Sequence, residues 1–193
     1  LIEVAGRNAA MLSTTDIGFA IGPRINAAGR LEDMGIGIEC LLTDDAGQAR
    51  ELAAILHGIN EERRALQTDM QDMAEASLDG IDTRYAACLF DADWHPGVVG
   101  LVASKLKERL HRPSIAFAPA EPDSDVLRGS ARSIPGFHIR DALALVDARH
   151  PGLITRFGGH AMAAGMSLAR EQFEAFRNAF VAVSAELLSE DLL

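Results

Sequence analysis

Four short stretches of this chain carry residue types and spacings suited to chemistry on a phosphate. In Gly129-Ser130-Ala131-Arg132-Ser133, strand alternation puts Ser130 and Arg132 on one face and Ala131 on the other. A hydroxyl beside a guanidinium suits a phosphate or carboxylate, because arginine can donate to two oxygens at once. An edge strand with a solvated face has the same pattern. In Phe157-Gly158-Gly159-His160-Ala161-Met162-Ala163-Ala164-Gly165, two glycines before a histidine allow backbone amides to converge on an oxyanion. A lone histidine is more often structural, but the glycine pair and the preceding Arg156 favour a ligand. Trp94-His95-Pro96-Gly97 follows a strand and opens a helix. Gly97 permits close approach, first-turn amides favour an anion, and His95 can donate to a phosphate. A plain turn plugged by Trp94 fits equally well. Arg24, Asn26 and Arg30 flank a turn-like string, Gly22-Pro23-Arg24-Ile25-Asn26-Ala27-Ala28-Gly29-Arg30, in which Asn26 is placed to cap Ala27-Ala28.

A catalytic metal is the weaker reading. Asp91, Asp93 and His95 would share a face if the strand ran on through them. They lie at a strand end, however, with no second acid–histidine cluster nearby. Phosphodiester hydrolysis typically uses paired metals held by several Asp and His side chains. Neither a Gly-Lys-Ser/Thr phosphate loop nor a nucleophile elbow occurs. The residues present read as binders, and no metal ligand is assigned.

These side chains must be positioned by three regions. Residues 1–42 are rich in glycine and small residues and look like the trailing edge of something begun upstream. Residues 43–80 form a long helix, opened by Thr43-Asp44-Asp45 and closed by Gly80. Its stripe is Ala49, Leu52, Leu56, Ile59, Leu66, Met70 and Met73, with Arg63 in the vacant seam position. At 1.5 Å per residue it would span roughly 50 Å, which suits a rigid spacer. A helix lying on a core and a dimerising coiled coil remain open. Residues 81–193 read as a compact α/β domain with strands at 85–90, 114–117, 126–133 and 163–168. Helices are expected at 98–110, 139–147 and 171–188, the last burying Phe173, Phe176 and Phe180. Such alternation implies a parallel or mixed sheet with helices against it.

Composition bounds the function. The 193 residues are 48% hydrophobic and 24% charged, which is ordinary for a globular domain. The net charge of −10 argues against a general nucleic-acid coat. The charge is uneven, though: Arg128, Arg132, Arg140, Arg149 and Arg156 face only Asp141 and Asp147 in the same segment, so a local basic patch is allowed. One Trp and one Tyr leave little for base stacking. Cys40 and Cys88 lack metal spacing and read as buried thiols of a reducing, cytoplasmic compartment. No membrane span and no secretion signal is expected, and the missing initiator Met implies either a fragment or a front that was removed.

Taken in order, the strings GPRINAAGRLEDM, WHPGVVGLVASKLKER, RPSIAFAP, GSARSIPGFHIRDAL and FGGHAMAAGMSL resemble the C-terminal half of the RecJ core, within the DHH/DHHA1 superfamily. The resemblance runs from about Ile17 to Phe180. It implies an α/β fold with a DHHA1-type mixed sheet flanked by helices over 81–193. Before it would come a long connecting helix (43–80) and the end of a DHH domain (1–42). It implies a 5′–3′ exonuclease of single-stranded DNA, serving repair and recombination, that uses Mn²⁺ or Mg²⁺. The metals would be held by the Asp-His-His-bearing DHH domain, and no Asp-His-His occurs in this chain. It further implies single-stranded DNA as ligand, with the rest of the DHH domain and an oligonucleotide-binding fold as partners in the same polypeptide. Carried over, Arg24 or Arg30, with Ser130 and Arg132, would hold a 5′ phosphate. His160, with Gly158 and Gly159, would face the scissile region as an assisting catalytic group. Asn26, His95, Gly97 and Gly129 complete the expected substrate-binding set. A DHHA1-type phosphodiesterase of cyclic dinucleotides or short RNAs, and a non-catalytic binding or dimerising module, are the alternatives. The long helix and the GSARS string favour the exonuclease.

Overall fold

A computed structural model of the chain describes residues 1–188, and the chain falls into two compact units, Leu1–Thr68 and Asp69–Leu193. The boundary lies inside the long helix.

In the first unit, a short helix α1 (Thr14–Asp16) is opened by a capping box between Ser13 and Asp16. One π-type turn leads into α2 (Gly22–Leu31), and α3 (Gly35–Leu42) follows. The string around Arg24 is therefore helical, not a turn. Pro23 sits in the first turn, where its missing amide costs nothing. Ala27 and Ala28 are fully buried, and that packing outweighs the glycines. Asn26 lies exposed inside the helix and caps nothing. This unit holds a small core of its own: Ala28, Cys40, Ala53 and Leu56, flanked by Leu1, Val4, Ile36 and Leu52.

The long helix α4 runs over Ala46–Ala76, 31 residues and roughly 46 Å. Asp45 is its cap, accepting the Gln48 amide at 2.9 Å. The buried line is Ala53, Leu56, Ile59, Asn60, Met70 and Ala74, whereas Met73 is 37% exposed. The stripe is thus centred on Leu56, Arg63 and Met70 and includes the polar Asn60. Arg63 is held there by Asn60 Oδ1 and Gln67 Oε1, each at 2.7 Å.

The second unit is a five-stranded mixed sheet in the order β1-β2-β3-β5-β4. The strands are β1 (Ala87–Phe90), β2 (Ser114–Pro119), β3 (Val126–Arg132), β4 (Arg156–Gly159) and β5 (Ala163–Ala169). β1 and β2 are parallel, joined through α5 (Val99–Leu110), and every other pairing is antiparallel. Two helices, α6 (Ile139–Arg149) and α7 (Phe173–Leu187), share a core with one sheet face. There Ile115, Phe117, Leu127, Ala131 and Leu168 meet Phe176 and Phe180, with Phe117 edge-on to Phe176 at 5.4 Å between ring centroids. Strand β4 is absent from the sequence expectation, because half of it is glycine. No helix among the described residues is long and apolar enough to cross a membrane.

Candidate nucleic-acid interface

The face of the sheet opposite the α6–α7 core carries the phosphate-suited residues. Along β3, Leu127, Gly129 and Ala131 are buried, while Arg128, Ser130 and Arg132 alternate to the other side. The cross-strand register extends that side: Ser130 pairs with Gly165 and Gly165 with Gly158, while Arg128 pairs with Ser167 and Ser167 with Arg156. Directly opposite residues of an antiparallel pair share a face.

Ser130 and Arg132 are brought together, as expected from their alternation. Nη1 of Arg132 donates to Ser130 Oγ at 2.9 Å and to its neighbour's carbonyl, Ala131 O, at 2.8 Å. Helix α5 lies over this pair, and Gly100 is what admits it. A Cβ there would stand 3.0 Å from Arg132 Nη2 and 3.1 Å from Ser130 Oγ. A glycine in a helix whose sequence otherwise favours helix signals such a close approach.

Gly129 does not belong to this face. Its α-carbon looks into the core, where any Cβ would run into the Phe117 ring. It is a packing glycine, and its assignment to substrate binding is corrected on that ground.

The turn before α5 satisfies its own groups. The Gly97 amide donates to His95 Nδ1 at 3.1 Å and the Val98 amide to His95 O at 3.0 Å. Those two amides are therefore not left for an anion. His95 is half-buried and, accepting through Nδ1, keeps Nε2 as its N–H donor. Trp94 is 3% exposed, and its indole N–H is buried without a hydrogen-bond partner. Asp91 Oδ1 accepts the Asp93 amide at 2.8 Å, so this carboxylate shapes the turn. Among the described residues no three His, Cys, Asp or Glu side chains converge on a common point. Asp91, Asp93 and His95 therefore do not form such a cluster.

Gly158 and Gly159 are strand residues. Gly159 has φ +146°, and a Cβ there would lie 2.5 Å from Ala164 Cα, so the β4–β5 hairpin closes only around glycine. The amide of the exposed His160 donates to Ala163 O at 2.8 Å. That closes the hairpin and removes the amide from any oxyanion nest. Gly158 is different: a Cβ there would meet nothing within 4 Å, which leaves the open face clear above it.

In the first unit, Nη1 of Arg24 donates to Ala20 O at 2.6 Å, and its Nε is buried without a partner. Arg30 is exposed. Burial, and then the nearby positive charges of Arg30 and Arg64, hold the Arg63 guanidinium below its usual range. Arg30 and Arg63 thus approach each other as like charges. Arg63 reads from sequence only as a break in an apolar stripe.

Residues 82–186 match the DHHA1 domain family over more than half of the chain. The chain belongs to the DHHA1 domain family. Over its whole length it is also 48% identical to the single-stranded-DNA-specific exonuclease RecJ of Dickeya dadantii, covering 34% of that protein. Two solved structures of RecJ from Thermus thermophilus are similar. The Mg²⁺ complex aligns with TM-score 0.84 and 32% identity over 97% of this chain and 28% of that one. The Mn²⁺ complex aligns with TM-score 0.83 and 33% identity over 98% and 27%. This DHHA1-containing chain therefore spans about a third of the curated relative it matches. Both the DHHA1-type mixed sheet and the long helix before it agree with the sequence expectation.

Proposed function

We propose that the chain is the strand-holding part of a 5′–3′ exonuclease specific for single-stranded DNA, acting in repair and recombination in the cytoplasm. The observation that carries this is the Ser130–Arg132 pair, 2.9 Å apart and half-buried beneath Gly100, in a chain resembling RecJ throughout. A hydroxyl held against a guanidinium offers a terminal phosphate a fixed set of donors. In this reading residues 1–42 complete a DHH domain, 43–80 connect, and 81–193 are the DHHA1 domain. Arg24 or Arg30, with Asn26, add contacts from the DHH side. His95 donates through Nε2, and Gly97 gives the chain room to pass. Gly158 leaves the strand's path clear beside His160, which assists at the scissile region, while Gly159 shapes the hairpin that carries it. Mn²⁺ or Mg²⁺ would be held by the DHH domain, with an oligonucleotide-binding fold of the same polypeptide gripping the strand further on.

Two experiments test this. Purified 1–193 with Mn²⁺ should leave single-stranded DNA uncut, and degradation by the fragment would overturn the division of labour. In the full-length enzyme, Arg132→Ala should reduce the preference for 5′-phosphorylated over 5′-hydroxyl ends. An unchanged preference would remove Arg132 from that role.

A further inference from the structure

Four residues along β3 from Arg132, on the same face and about 13 Å away, stands Arg128. Its cross-strand partner on β5 is Ser167, and Ser167 in turn pairs with Arg156 of β4. Arg128, Ser167 and Arg156 therefore form a straight row across three strands. The two arginines are separated by two strand spacings, about 10 Å. Both are exposed, and among the described residues neither guanidinium has an acidic partner. Six other arginines among the described residues do pair with carboxylates: Arg7, Arg64, Arg109, Arg140, Arg149 and Arg177. Beside this row lies a second, Ser130–Gly165–Gly158, which has no side chain larger than a hydroxyl. A Cβ at Gly158 or Gly165 would meet nothing closer than 3.9 Å.

We propose that Arg128 and Arg156, with the Ser167 hydroxyl between them, form a second phosphate-contacting row. It would receive the backbone of a single strand whose 5′ end lies at Ser130 and Arg132. This rests on the function proposed above and extends it inward from the terminal phosphate. Two arginines whose backbones stand about 10 Å apart on one sheet, each with a long side chain, can reach neighbouring phosphates of one strand. The glycine row between the two sites gives the sugars a flat floor. With no aromatic residue in either row, contact is with backbone and not bases, so binding here is independent of base sequence. Like charges fixed on an otherwise acidic protein are most stable when an anion lies between them.

The test uses the full-length protein and fluorescent oligothymidylate carrying either a 5′ phosphate or a 5′ hydroxyl. Affinity is followed by anisotropy across a salt series. Arg128→Ala/Arg156→Ala should weaken both oligonucleotides equally and lower the slope of log affinity against log salt by about 1.4, which is about 0.7 for each lost phosphate contact on a single strand. Arg128→Lys/Arg156→Lys, which keeps the charge, should restore the slope. An unchanged slope in the alanine variant would overturn the proposal. So would a variant that keeps its DNA slope but loses retention of polyglutamate, since the row would then dock a protein. A loss confined to the 5′-phosphorylated oligonucleotide would also sink it. Failure of the end-binding role is read separately, from the 5′ preference of Arg132→Ala.

Discussion

Gly100 and Arg132 are in contact across the α5–β3 interface: a Cβ on the glycine would stand 3.0 Å from the guanidinium Nη2. The helix thereby fixes one side of the arginine while Ser130 fixes another. A donor set held this way loses less side-chain entropy on binding than a free arginine would. Gly100→Val should push the guanidinium off Ser130. In the full-length enzyme, affinity for a 5′-phosphorylated strand should fall by roughly the factor of ten that one lost charge-assisted hydrogen bond represents. The measurement is a binding titration with 5′-phosphate and 5′-hydroxyl oligonucleotides. Equal affinity in variant and parent would show that the seat is not needed.

The two adjacent glycines of β4 should separate cleanly. Gly159 is at φ +146° with Ala164 Cα 2.5 Å from the site of any Cβ, while Gly158 faces open space. Gly159→Ala should destabilise by on the order of 1–3 kcal/mol, through backbone strain and forced overlap. Gly158→Ala should change stability by about 0.5 kcal/mol or less. Thermal unfolding of the two variants of 1–193 decides this. Similar losses in both would contradict the hairpin geometry.

That contrast marks where sequence reading ends. Apolar periodicity placed the sheet helices and most strands, because Phe173, Phe176 and Phe180 or Ile115 and Phe117 announce a buried face by spacing alone. The Ser130–Arg132 pair followed from strand alternation, and the same alternation, carried two residues back, reaches Arg128. The failures share one cause, which is tertiary context overruling local residue type. Gly22 to Arg30 has turn composition but is helical because Ala27 and Ala28 fill a core. Arg156 to Gly159 has poor strand propensity but pairs because β5 supplies a partner. Asn60 and Ala74 are seam residues, where a strict apolar count selects Met73. Whether a glycine serves a ligand or a neighbour is likewise invisible in sequence: Gly129 makes room for Phe117, and Gly100 for Arg132.

Cys88 should be chemically silent in the folded protein. It is 2% exposed within the main core, and burial pushes its thiol well above the ordinary range. The thiolate is the reactive form, so alkylation needs unfolding. Iodoacetamide at about pH 8, near the ordinary thiol pKa, should modify Cys88 of native 1–193 only as fast as the domain opens, and fast in denaturant. Mass spectrometry of the Cys88 peptide reads the rate. Rapid labelling without denaturant would mean the β1 side of the core is open.

Two exposed carboxylates tie helices of the second unit together and should give stability a mild acid limb. A hydrogen bond from Arg109 first, and from Gln71 second, holds the Glu75 carboxyl below its usual range. Arg149 does the same for Glu186 on α7, at 2.7 and 2.8 Å. A carboxyl with a lowered folded-state pKa binds fewer protons when folded than when unfolded, so stability rises with pH across the interval between the two values. The contribution is therefore complete above the ordinary value of 4.5. It declines as pH falls toward the lowered folded-state values and is absent below them. Because both groups are solvent-exposed, screening keeps the effect small, and added salt should shrink it further. In Glu75→Gln/Glu186→Gln the drop in Tm between about pH 6 and about pH 3 should be smaller than in the parent. The two curves should converge at the acid end, where the parent's carboxylates are protonated too. A variant whose Tm falls in parallel with the parent across that whole interval would show that neither ion pair contributes.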